Sequence, residues 1–113
     1  MDIQTTLPLT EATFFILLSI ASEPKHGYAI MQDVAGLSDG RVNLSTGTLY
    51  GALKRLLREG WIERTKELVY NHDGRERKAY QLSELGHKIL DAEVDRLARL
   101  VTTAQLRTVG ADR

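Results

Sequence analysis

Ser45-Thr46-Gly47-Thr48-Leu49-Tyr50-Gly51-Ala52-Leu53-Lys54-Arg55-Leu56-Leu57-Arg58-Glu59-Gly60 decides the fold. Ser45 is a good N-cap and Gly60 a good C-terminal stop, so the run between them predicts a helix over about 46–59. Leu49, Ala52, Leu53, Leu56 and Leu57 recur at spacings of three and four and form its core face. The opposite face carries Gly47, Thr48, Gly51, Lys54, Arg55 and Arg58. Gly51 costs the helix roughly 1 kcal/mol relative to alanine, which fits a face that something must approach closely. The helix start, with Ser45, Thr46 and Thr48, offers free amides and hydroxyls suited to phosphate oxygens. Tyr50 reads as a packed aromatic whose hydroxyl could also donate to phosphate. For this helix alone, an ordinary amphipathic element with a basic outer face competes evenly with a DNA reader.

The segment that follows shifts the balance. Trp61-Ile62 begins a strand, Asn71-His72-Asp73-Gly74 supplies turn residues, and Lys78-Ala79-Tyr80-Gln81-Leu82 returns. This hairpin bears Arg64, Lys66, Arg75, Arg77 and Lys78, cations able to straddle a phosphate backbone, and Arg75 and Arg77 lie nearest the tip. Glu63, Glu67, Asp73 and Glu76 are interleaved with them and can form cross-strand pairs.

On the N-terminal side, Thr10 can cap a first helix to about Ser22, with Phe14, Leu17, Leu18 and Ala21 on one face and Ala12, Phe15, Ile16 and Ile20 spreading apolar surface over the rest. Such a helix needs cover on more than one side, and a second subunit is the expected cover. A second helix spans about Gly27–Leu37, with His26 as a capping or core-edge residue, and Arg41-Val42-Asn43-Leu44 alternates as a short strand. After the hairpin, Ser83-Glu84 starts a long last helix to about Arg107. Its Leu90, Val94, Leu97, Val101 and Ala104 form a short heptad seam, broadened by Leu85, Ile89 and Leu100. With Phe15 of the first helix, that seam is the expected dimer interface.

The predicted order is helix, helix, short strand, helix, hairpin, helix. The fold class is mainly α with a small β-hairpin: a winged helix-turn-helix domain over 1–82 and a long C-terminal dimerisation helix over 83–113, in one compact unit.

Composition sets the outer bounds. The 113 residues suit one domain, and 42% hydrophobic with 27% charged residues is an ordinary globular balance. The net charge is zero, but Arg41–Leu82 holds nine basic against five acidic residues and the remainder six against ten, a segregation that favours a polyanionic partner. Cysteine is absent, and no basic segment leads into an apolar run with a cleavage site, so a cytoplasmic location is expected. The apolar run Phe14–Ile20 is far below the roughly 20 residues of a membrane span. His26, His72 and His87 fall in three different elements, so neither a metal site nor a cofactor is expected, and no nucleophile, base and orienter can be assembled into an enzyme site. A winged-helix module that binds protein instead of DNA is the remaining alternative; it would not need a basic third helix.

Leu9-Thr10-Glu11-Ala12, His26-Gly27-Tyr28-Ala29-Ile30, the run Gly47–Leu56, Gly60-Trp61-Ile62-Glu63 and Tyr80-Gln81-Leu82-Ser83-Glu84-Leu85-Gly86 together resemble the successive signatures of PadR-type bacterial transcriptional regulators. The resemblance implies a homodimeric winged-helix repressor of double-stranded inverted-repeat operators that releases DNA on binding a small aromatic or hydrophobic effector. A single C-terminal helix resembles the short-tailed members. Some of those stack planar ligands on a tryptophan of the last helix; here that helix has no aromatic residue, so the resemblance does not extend to that role.

Overall fold

In the computed structural model of the chain, residues 2–70 and 76–109 are described, side chains excepted at 66–70, 76–78 and 109. A short 3-10 turn (Ile3–Thr6) precedes α1 (Glu11–Ser19), α2 (Gly27–Leu37), α3 (Thr46–Glu59), β1 (Ile62–Tyr70), β2 (Glu76–Leu82) and α4 (Glu84–Val109). The described residues are mainly helical with one antiparallel hairpin, the expected winged-helix order apart from the short strand before α3.

The helix starts follow from local chemistry. The side chains of Thr10, His26 and Ser45 accept hydrogen bonds from the amides of Thr13, Ala29 and Thr48, three residues on in each case. At the end of α3, Gly60 adopts φ 79°, and the amides of Gly60 and Trp61 return to the carbonyls of Leu57 and Leu56. That left-handed turn favours glycine. It aims the chain directly into β1.

The core gathers Ile16 and Leu17 of α1 with Ile20 at its C-cap, Ile30 and Val34 of α2, Leu49, Leu53 and Leu56 of α3, Ile62, Tyr80 and Leu82 of the hairpin, and Ile89 and Leu90 of α4. Trp61 closes it beneath the hairpin. β1 and β2 pair Ile62 with Leu82, Glu63 with Gln81 and Arg64 with Tyr80; an irregularity between Arg64 and Leu68 then shifts the register before Leu68 meets Lys78. A bulge of this kind bends a strand and increases its twist.

Two expectations change. Arg41–Leu44 has no strand partner among the described residues and is held instead by the Val42 amide donating to Ser38 Oγ at 2.9 Å. The hairpin's extra bridge comes from Lys25, paired through backbone with Tyr80. Leu90, expected in the dimer seam, is 5% exposed and lies in the chain's own core. The first turns of α4 face inward on the domain, so the apolar stripe is already used there. Phe15, the α1 residue expected at the dimer contact, is partly exposed and packs against the core with Phe14 and Leu18, so the chain itself supplies part of the cover that α1 needs.

Candidate nucleic-acid interface

α3 presents two unlike faces. Leu49, Leu53 and Leu56 are buried, while Ser45, Thr46, Gly47, Thr48, Gly51, Lys54 and Arg58 are exposed and Tyr50 is 46% exposed. Ser45 Oγ caps the Thr48 amide at 3.1 Å and also donates to Thr48 Oγ1 at 2.9 Å. The amides of Thr46 and Gly47 then remain at the helix start without an intrahelical acceptor, on the positive end of the helix dipole. Among the described residues, a Cβ placed on Gly47 or Gly51 would meet nothing within 4 Å beyond its own stretch of helix. Nothing inside the molecule therefore demands glycine at 51, and the face opens outward.

The hairpin stands beside this face. Arg64 is exposed and, with Tyr50, Leu53, Lys54, Leu57 and Tyr80, lines a groove of about 290 Å³ between α3 and the strands. Lys66, Arg77 and Lys78 lie in the strands with side chains outside the described residues, and Arg75 falls wholly outside them.

Arg55 departs from the sequence reading. Its side chain is half-buried, and Nη2 donates to Thr13 Oγ1 of α1 at 3.1 Å. Residue 55 lies at the edge of the buried leucine face, where a long side chain can fold back onto the neighbouring helix.

Sequence reasoning missed Tyr28. It is 59% exposed on the first turn of α2, with its hydroxyl accepting from Gln32 Nε2 at 3.3 Å. A Cβ at its neighbour Gly27 would collide with the hydroxyl end of Tyr50. Gly27 thus lets the Tyr50 phenol lie across the start of α2. His26-Gly27-Tyr28 and Thr48-Leu49-Tyr50 thus meet in space through Gly27 and Tyr50.

The distal part of α4 is a second surface. Val94, Leu97, Leu100, Val101 and Leu106 are between 36% and 77% exposed, and Ala104 is exposed among them. The proximal part is anchored by Glu93, only 2% exposed. Its carboxylate accepts the Leu9 amide at 2.8 Å and two hydrogen bonds from Arg96 at 2.5 and 3.1 Å. The Arg96 hydrogen bonds, opposed by burial and assisted by Leu9, hold the Glu93 carboxyl below the usual carboxylate range. Among the described residues no helix is long and apolar enough to cross a membrane, and no His, Cys, Asp or Glu cluster could hold a metal.

Comparison with known proteins agrees with this geometry. A PadR-like regulator from Bacillus cereus shares the fold at a TM-score of 0.68 and 25% identity, over 94% of both chains. A PadR-like transcription factor from Bacteroides fragilis matches at 0.63 and 28% identity, over 81% of this chain and 84% of that one. Bacillus subtilis PadR, solved with operator DNA, has the same fold at a TM-score of 0.63 and 22% identity, over 77% of this chain and 48% of its own. An uncharacterised 37.1 kDa protein in transposon TN4556 of Streptomyces fradiae is 36% identical over 92 residues; the match takes in 80% of this chain but 24% of that relative's length. Residues 16–92 match the model of the PadR-like family of transcriptional regulators, and the chain belongs to that family.

Proposed function

We propose that the protein is a homodimeric, cytoplasmic repressor, not an enzyme, that binds double-stranded DNA at an inverted repeat. The observation that carries the reading is the exposed face of α3, where a Cβ on Gly51 would meet nothing beyond its own helix among the described residues and Thr48, Lys54 and Arg58 flank it. In this reading α3 lies in the major groove. Thr48 and Lys54 reach base edges, with Gly51 allowing close approach, while Ser45, Thr46, Tyr50 and Arg58 meet the backbone. Arg64, Lys66, Arg75, Arg77 and Lys78 of the hairpin add phosphate contacts. Residues 1–82 form the DNA-binding unit and 83–113 the dimerisation helix, on which Val94, Leu97, Val101 and Ala104 cover the partner copy. The solved complex of B. subtilis PadR with operator DNA supports the DNA partner. Repression, and release by a small aromatic or hydrophobic effector, are carried over from the family resemblance.

The test is Gly51→Leu. A duplex selected by the wild-type chain from a random-sequence library serves as the probe. A Cβ at 51 meets nothing beyond its own helix, and leucine raises helix propensity by roughly 1 kcal/mol, so thermal stability should hold or rise. Affinity for the selected duplex should fall at least a hundredfold, because the leucine holds α3 out of the groove. Normal binding by a folded variant overturns the reading.

A further inference from the structure

We infer that Arg55 is a positioning residue that locks the recognition helix to the cap of α1, and that through this cap α3 and α4 are held in one fixed relation. The inference rests on the DNA-binding reading of α3. Arg55 belongs by sequence to the basic run with Lys54 and Arg58, yet its guanidinium donates to Thr13 Oγ1 at 3.1 Å, on a threonine only 5% exposed. That hydroxyl also accepts from Thr10 Oγ1 at 3.0 Å, and Thr10 Oγ1 in turn accepts the Thr13 amide at 3.2 Å. The cap of α1 is therefore completed by a side chain 42 residues away.

Charge alone would not choose this seat. The first turn of α1 is the positive end of its dipole, where a cation is disfavoured. The acidic residue of that turn, Glu11, is paired with Arg41 at 2.7 Å. What the planar guanidinium fork supplies there is one donor, Nη2, of fixed direction, which a flexible ammonium would not give.

The same cap is tied on its other side to α4. Leu9, immediately before Thr10, donates its amide to the buried Glu93 carboxylate at 2.8 Å, and Arg96 holds that carboxylate from one turn further on. A continuous polar path thus runs from α3 through Arg55, Thr13, Thr10 and Leu9 to Glu93 on α4. It joins the helix that would read DNA to the helix that would set the distance between two readers. Spatial continuity is not yet energetic coupling, so the test must measure coupling.

The variants are Arg55→Ala, Arg55→Lys, Thr13→Val and the double change Arg55→Ala with Thr13→Val. Each folded protein is titrated, well below its unfolding temperature, against the selected duplex and a mixed-sequence duplex at several salt concentrations. Each single variant should bind the selected duplex five- to tenfold more weakly and the mixed-sequence duplex normally. The double variant should be no weaker than the weaker single one, and the slope of log affinity against log salt should not change. Arg55→Lys, which keeps the charge but loses the fork, should lose the same factor. If Arg55→Ala does not fold, Arg55→Lys and Thr13→Val decide. A slope reduced by about 0.9 per subunit in Arg55→Ala, with Thr13→Val binding normally, makes Arg55 a phosphate contact and overturns the inference. Unchanged affinity in every variant overturns it as well. A wild-type chain that selects no duplex sinks the DNA reading and this inference together, whereas a loss confined to the slope sinks the inference alone.

Discussion

α1 and the distal half of α4 are both more apolar than one contact face requires, but they lie in opposite circumstances. Around α1, Ile16 and Leu17 are fully buried, Ile20 is 2% exposed, and Phe14, Phe15 and Leu18 pack against the same core. Along α4, burial stops at Glu93, and beyond it Val94, Leu97, Leu100, Val101 and Leu106 stand exposed. The difference lies in position more than in composition. α1 packs against both α2 and α4, whereas a 26-residue helix of about 39 Å outruns the domain that launches it. Apolar surface all round a helix therefore indicates burial but does not say by what; that depends on where the helix ends relative to its neighbours.

The comparison breaks most sharply with Leu97→Glu combined with Val101→Glu. If a second copy covers the distal half, two carboxylates in that seam should weaken self-association about a thousandfold, ~4 kcal/mol, while circular dichroism shows a folded chain. Sedimentation that still reports a dimer removes the interface. Next in size is Leu17→Ala. A cavity at the centre of the domain should cost about 2–5 kcal/mol, measured by denaturant unfolding, and the loss should not depend on protein concentration. A concentration-dependent loss would place α1 in the subunit contact instead.

The smallest effect is at the point where the two regimes meet. Glu93→Gln keeps an acceptor for the Leu9 amide but loses the charge, and should cost roughly 0.5–1.5 kcal/mol at neutral pH. Because the folded-state carboxyl titrates below its unfolded value, its contribution is complete above the ordinary glutamate range. It is lost as pH falls through the depressed value. Melting temperatures of the two proteins should therefore converge on acidification below about pH 4; parallel curves across that range would show that the charge does not stabilise the fold.

Much of this architecture could be read from residues with a local mechanism. Thr10, His26, Ser45 and Gly60 bound their helices by hydrogen bonds that reach at most a few residues along the chain, and the leucines of α3 report their face by spacing alone. What escaped depends on distant partners. Arg41–Leu44 alternates like a strand, but a strand exists only where another backbone pairs with it, and the pairing position went to Lys25. Leu90 and Val94 are neighbours in one continuous stripe, and periodicity cannot show that the domain ends between them. Arg55 shares its surface chemistry with Lys54 and Arg58, and only the position of Thr13 distinguishes it. For the candidate interface, the outward face of α3 was legible, while the 59% exposure of Tyr28 was not, since an aromatic on the first turn of α2 reads equally well as core.

The junction at Gly86 has a mechanical consequence. A Cβ there would collide with the carbonyl oxygen of Trp61, and Ser83 ties the same corner by donating its hydroxyl to the Gly60 carbonyl at 2.5 Å and its amide to Trp61 O at 3.1 Å. α4 is thus seated backbone on backbone, with no side chain between to act as a compressible shim. From that seat to Val109 the helix is a lever of about 34 Å, so one degree of rotation at the corner displaces its far end by about 0.6 Å. The bearing at Gly86 sets the aim of the whole arm, and a methyl group added there would be magnified at the tip.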